Sequence, residues 1–140
     1  MAEQIAAAWE AVILAEAAVS YAYAVAGPRL DPAGRTLAAQ GYDDHERARD
    51  TALLALTATG APALGVPSFF ELPDQVATPE QARALLATVE SRLAVSYADL
   101  VAALPMDQRQ RGIDAMLRAT AQALAWGAAP GAWGAAEPGA

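Results

Sequence analysis

The chain has 140 residues, enough for one domain with a single buried core, and its composition is lopsided: 39 Ala, no Lys, no Asn and no Cys. Without cysteine there is no disulfide framework, zinc ribbon, iron–sulfur site or thiol catalysis, and without lysine no Schiff-base chemistry. Sixteen acids against nine Arg leave a net charge of -7, which argues against nucleic acid or an anionic membrane as partner, since both require basic surface.

The first predicted helix covers residues 3–26 and stops at Gly27-Pro28, a glycine followed by a helix breaker. The start carries no basic region of the kind that opens a secretory signal. The most apolar stretch, residues 11–26, is shorter than a bilayer span and contains Glu16. A soluble, cytoplasmic protein is expected. Asp31-Pro32 restarts the chain as a second helix, with Asp as N-cap and Pro at the first helical position, and Gly60 ends it. Gly34 and Gly41 weaken this helix locally. A proline-broken link of about 18 residues follows, carrying Phe69, Phe70 and Leu72. Thr78-Pro79-Glu80-Gln81 reads as a capping box opening helix 3, which Pro105 stops. Asp107 with Gln110 forms a second expected capping pair, opening a helix 4 that ends at Trp126-Gly127. Residues 128–140, rich in Ala, Gly and Pro, are expected to be a disordered tail on a bundle of residues 1–127.

No segment alternates apolar and polar residues with period 2, whereas apolar positions recur at helical spacing. The expected inner faces are Trp9, Val12, Ile13, Val19 and Tyr23; Ala38, Tyr42, Ala52, Leu53 and Leu56; Leu86, Val89, Leu93, Tyr97, Leu100 and Leu104; and Ile113, Leu117, Ala121 and Leu124. Four helices of similar length make an all-α four-helix bundle. The first and last connections are short enough for antiparallel hairpins, while the middle link is long enough to run the length of the bundle and leave helices 2 and 3 parallel; a link folded on itself would give an up-down-up-down bundle instead. One crossover between two hairpins is the ferritin-like arrangement.

Polar residues on the apolar stripes are the candidate site. Glu16 lies four residues from Val12 and seven from Tyr23; His45 lies seven from both Ala38 and Ala52; Glu90 lies four from Leu86 and seven from Tyr97. All three are near mid-helix, so in a bundle they share one layer. Arg49, one turn from His45, falls on the same side.

Three segments carry a resemblance: AEAAVSYAY at residues 15–23, HERARD at 45–50 and SYADL at 96–100. Together they resemble the actinobacterial ferritin-like DUF4439 family, whose name implies a four-helix fold and no established activity. The wider class of ferritin-like di-iron carboxylate proteins sets one Glu on each of two helices and Glu-x-x-His on each of the other two. This chain departs from that pattern. Tyr42 stands three residues before His45 where Glu would be, and Leu117 stands three after Asp114 where His would be, with Asp114 and Arg118 spaced as a surface ion pair.

Two readings of the layer follow. In one, Glu16, His45 and Glu90 hold a single iron, manganese or zinc ion in a reduced, oxidase-like site. In the other, no cofactor is bound: Arg49 pairs with Glu16 or Glu90, His45 completes the network, and Tyr23, Tyr42 and Tyr97 add hydroxyl donors, because buried charges require such pairing. The second reading makes the chain a non-catalytic interaction or scaffold module with a degenerate di-iron site. Its expected partners are a second copy of the chain, docked through helices 1 and 2, or another protein. A carrier of a small apolar ligand ranks last, because alanine-rich inner faces bring helices close together and leave little space.

Overall fold

Proline and side-chain caps set where the helices begin. In the computed structural model, which describes residues 1–73 and 75–129, Asp31 Oδ1 accepts from the Gly34 N–H at 2.7 Å with Pro32 at the first helical position. Thr78 and Gln81 cap each other reciprocally: Gln81 N–H donates to Thr78 Oγ1 at 3.1 Å, and Thr78 N–H donates to Gln81 Oε1 at 3.2 Å. The long helices are α1 (Ala2–Ala26), α2 (Pro32–Ala58), α3 (Pro79–Ala103) and α4 (Arg109–Ala125). Short three-ten turns, Gly27–Arg29 and Met106–Gln108, lead into α2 and α4. Gly60 follows α2 at φ 81°, a left-handed backbone that suits glycine.

The start of α4 differs from the expected Asp107–Gln110 capping pair. The three-ten turn absorbs Asp107, α4 begins at Arg109 without a side-chain cap, and Gln110 Nε2 donates forward to Asp114 Oδ1 at 2.9 Å. With 17 residues, α4 is also shorter than its neighbours, about 26 Å against about 38 Å for the 25-residue α1.

Cross-helix contacts fix the topology. Tyr23 meets Glu90 while Tyr97 meets Glu16, so α1 and α3 are antiparallel. α1 also packs on α2, and α3 on α4, through the two hairpins. α2 and α3 therefore run parallel, joined by the long link: a four-helix bundle of two antiparallel hairpins with one crossover. Leu64, Val66, Leu72 and Val76 of the link pack against the core, and Phe69 and Phe70 approach Tyr21 at ring-centre distances of 5.6 and 6.0 Å. The tail, from residue 130 on, lies outside the described residues.

α1 and α3 form the central pair. By length and composition the segment Ala2–Arg29 could cross a membrane, longer than the apolar stretch read from the sequence; in the bundle, α1 packs against both α2 and α3 and supplies two members of the polar layer. The inner faces expected for α1 and α3 are the ones buried, with Trp9 half-buried at the margin. That of α4 is rotated. Leu117 (56 % exposed) and Leu124 face out, and Gly112, Ala119, Ala123 and Trp126 face in. Small residues win this face because α4 lies so close to α3 that a Cβ on Gly112 would come within 2.8 Å of Val101 Cγ2. Among the described residues α2 and α4 make no close backbone approach, and two adjoining hollows, of about 420 and about 1140 Å³, form a cleft between them, with α1 and α3 as its floor. The little space expected between alanine-rich helices is thus realised at the α1–α2 and α3–α4 seams but not between α2 and α4.

Gly41 is the closest such contact on α2. A Cβ there would collide with three ring carbons of buried Tyr23. Gly41→Ala should therefore destabilise the protein by about 1–3 kcal/mol through overpacking, although alanine is the better helix former by ~1 kcal/mol. Urea unfolding checks this; an unchanged or raised midpoint would contradict it.

Candidate functional site

Each helix contributes to one polar layer in mid-bundle. Glu16 and Glu90, from the central pair, are both buried, and the His45 ring from α2 stands between them. Its Nδ1 lies 2.6 Å from Glu16 Oε2 and its Nε2 lies 2.5 Å from Glu90 Oε1. Tyr97 Oη donates to Glu16 Oε1 at 2.5 Å, and Tyr23 Oη donates to Glu90 Oε1 at 2.8 Å. Trp126, at the end of α4, donates its indole Nε1–H to Tyr23 Oη at 2.8 Å. The chain of donors runs Trp126 to Tyr23 to Glu90, then through His45 to Glu16, with Tyr97 closing the far side.

Both ring nitrogens face carboxyl groups; against two ionised carboxylates, which can only accept, both nitrogens donate and the ring is an imidazolium. Burial alone would push the His45 pKa down. The hydrogen bonds and charges of Glu16 and Glu90 outweigh it and lift the group from 6.5 to about 10. Burial and the adjacent carboxylates push both tyrosines well above the ordinary phenol range, so they stay protonated donors; the Trp126 hydrogen bond opposes this at Tyr23, and the Arg118 charge opposes it at Tyr97. Three of the four carboxylate oxygens are thereby bonded. Among the described residues the fourth, Glu90 Oε2, is buried without a partner.

Arg49 and Tyr42 differ from expectation. Arg49 meets neither Glu16 nor Glu90: its guanidinium bonds Glu46 Oε2 at 2.7 Å and Asp50 Oδ1 at 3.1 Å on the outside of α2. The long side chain reaches water from a stripe position, and the cation in the layer is His45. Glu46, read from sequence as part of a solvated face, is half-buried and accepts from Ser20 Oγ at 2.8 Å. Tyr42 is 39 % exposed and takes part in none of the layer's hydrogen bonds among the described residues.

Sequence reasoning missed Trp126 and Arg118. Trp126 reads as packing at a hairpin end; its signal is that a buried indole N–H has to find an acceptor. Arg118 is not paired with Asp114 and instead lines the cleft, as do Asp44 and His45.

The layer ties stability to pH. The folded pKa of His45 lies above its unfolded value, so its contribution is complete below about pH 6.5 and is lost as pH rises through about 10. Facing it are Glu16 and Tyr23 of α1, Asp44 of its own helix, Glu90 and Tyr97 of α3, and Arg118 of α4. The urea midpoint should fall across that window, and His45→Gln should flatten the fall. Parallel curves for the two proteins would contradict the assignment.

The model of the family DUF4439, a domain of unknown function, matches residues 7–140. The crystal structure of a conserved hypothetical protein, Rv2844, from Mycobacterium tuberculosis is similar to this one with a TM-score of 0.83 and 25 % sequence identity, over 89 % of this chain and 95 % of that chain. No curated protein matches the chain. With the family match running across nearly its whole length, this chain belongs to the DUF4439 family.

Proposed function

We propose that this protein is a non-catalytic binding module of ferritin-like connectivity, in which the His45 imidazolium takes the place between buried carboxylates that a metal takes in di-iron bundles. The observation that carries this reading is the position of the ring. A ligating imidazole needs a free lone pair on one nitrogen, and here each nitrogen is engaged by a different carboxylate. The ring also separates Glu16 from Glu90, so the two cannot close on one ion while it stands there. Among the described residues no group of three or more His, Asp or Glu is arranged to hold a metal. The residue types agree, since Tyr42 and Leu117 stand where the di-iron pattern has Glu and His.

A second reading, a single metal at Glu16, His45 and Glu90, draws on the one acceptor the layer leaves over, Glu90 Oε2. It requires the imidazole to lose a proton and leave one carboxylate. Incubating untagged protein with Fe(II), Mn(II) or Zn(II), followed by gel filtration and metal analysis, separates the two. The imidazolium reading predicts no stoichiometric metal and no rise in melting temperature. One retained equivalent, lost in both Glu16→Ala and Glu90→Ala, would establish the metal site instead.

A further inference from the structure

The bundle is open along one side, between α2 and α4, and the two rims of that opening carry opposite charge. Of the four long helices only α4 has more arginines than acids, Arg109, Arg111 and Arg118 against Asp114, in a chain of net charge -7. Arg111 and Arg118 line the hollows, and neither forms an ion pair among the described residues. Opposite them, the exposed charge that α2 contributes to the lining is Asp44. Its ion-pair partner among the described residues, Arg47, is 75 % exposed, and a surface pair of that kind holds Asp44 weakly. Asp44 adjoins His45 in sequence and Arg118 stands beside Tyr97, so both charges lie at the level of the polar layer, one on each rim.

Apolar side chains run along the same opening. On α2, Leu37 and Leu54 line the hollows and are 56 % and 73 % exposed. On α4, Leu117 and Leu124 are two turns apart, on the side of the helix opposite the buried Gly112, Ala119 and Ala123. Leu37 shares its hollow with Gln122 and Ala125, and Leu54 shares the other with Arg111 and Asp114, so the leucines of both rims lie along one length of groove. The face is also large enough to associate. Two helices side by side, each about 10–12 Å across, over the 17 residues of α4 present on the order of 600 Å² in projection, close to the ~800 Å² of accessible surface that one partner gives to a standard interface. The outer side of α1, by contrast, is partly covered by the link, whose Phe69 and Phe70 lie against Tyr21.

We propose that the α2–α4 face is the interface of a homodimer, in which a two-fold axis parallel to the helices sets α2 of each copy against α4 of the other and pairs Asp44 with Arg118 of the partner subunit. Such a rotation keeps every residue at its own height along the bundle, so two charges that are level within one copy are level across the interface, and the contact is made twice. A two-fold axis across the helices would instead oppose α2 to α2 and bring Asp44 against a like charge, which is unfavourable.

Light scattering of the untagged full chain at tens of micromolar tests this, and twice 14.4 kDa is the expected mass. Leu54→Arg combined with Leu117→Arg, both at exposed positions, should give a monomer with helical circular dichroism kept. Asp44→Arg and Arg118→Asp each set like charges together at both symmetric contacts, and each should weaken the dimer roughly tenfold or more. Mixing these two variants gives every copy an opposite charge to meet, so sedimentation of the mixture should show a heterodimer at wild-type strength. If either charge variant loses its helical signal, the leucine pair alone decides. A monomeric wild type, a dimer that survives the leucine substitutions, or a mixture of folded charge variants as weak as its components overturns the proposal.

Discussion

The imidazolium of His45, held between Glu16 and Glu90, is the interaction on which the arrangement of the helices depends. It joins α2 to both members of the central pair through two charge-assisted bonds of 2.6 and 2.5 Å. Taking two carboxylates out of water is expensive, and here the cation and two tyrosine hydroxyls meet most of their hydrogen-bonding capacity. Removing one partner from such a set leaves an uncompensated buried charge, typically ~3–5 kcal/mol, a large fraction of a domain's stability. Specificity follows as well: a helix sliding by one residue would break several of these bonds at once.

The layer also explains the asymmetry of the bundle. α1 and α3 approach closely because their shared face mixes large aliphatic residues with alanine and keeps its polar groups satisfied. α4 reaches α3 through Gly112, Ala119 and Ala123, and among the described residues its end is hydrogen-bonded to the layer through the Trp126 indole. α2 is held by His45 and by the close seat of Gly41 against the Tyr23 ring. Among the described residues no hydrogen bond or ion pair joins α2 to α4, and Leu54 and Leu117 are exposed rather than packed between them. The open cleft follows from how the two flanking helices are anchored.

Much of this was legible in the sequence, and the failures have physical causes. Asp31-Pro32, Thr78-Pro79 with Gln81, and Gly60 mark their helix ends because each supplies a local hydrogen bond or backbone conformation that needs no tertiary context. The positions of Glu16, His45 and Glu90 followed from counting along apolar stripes. The same counting misplaced Arg49, because a helical position fixes Cα and Cβ while a long side chain can carry its charge outward to Glu46 and Asp50. It misplaced the inner face of α4 because leucine was weighted above glycine and alanine, and close packing against α3 reverses that preference. Trp126 and Arg118 were illegible as site residues because their roles depend on where the end of α4 meets Tyr23 and on the cleft that α2 leaves beside it.

The protonation of His45 is the central claim, and nitrogen-15 NMR of the imidazole tests it most directly, since the chain holds a single histidine. The account predicts two ring N–H signals at neutral pH, shielded from solvent exchange, and a titration near about 10. A neutral ring with one protonated nitrogen, titrating near the ordinary 6.5, would contradict it.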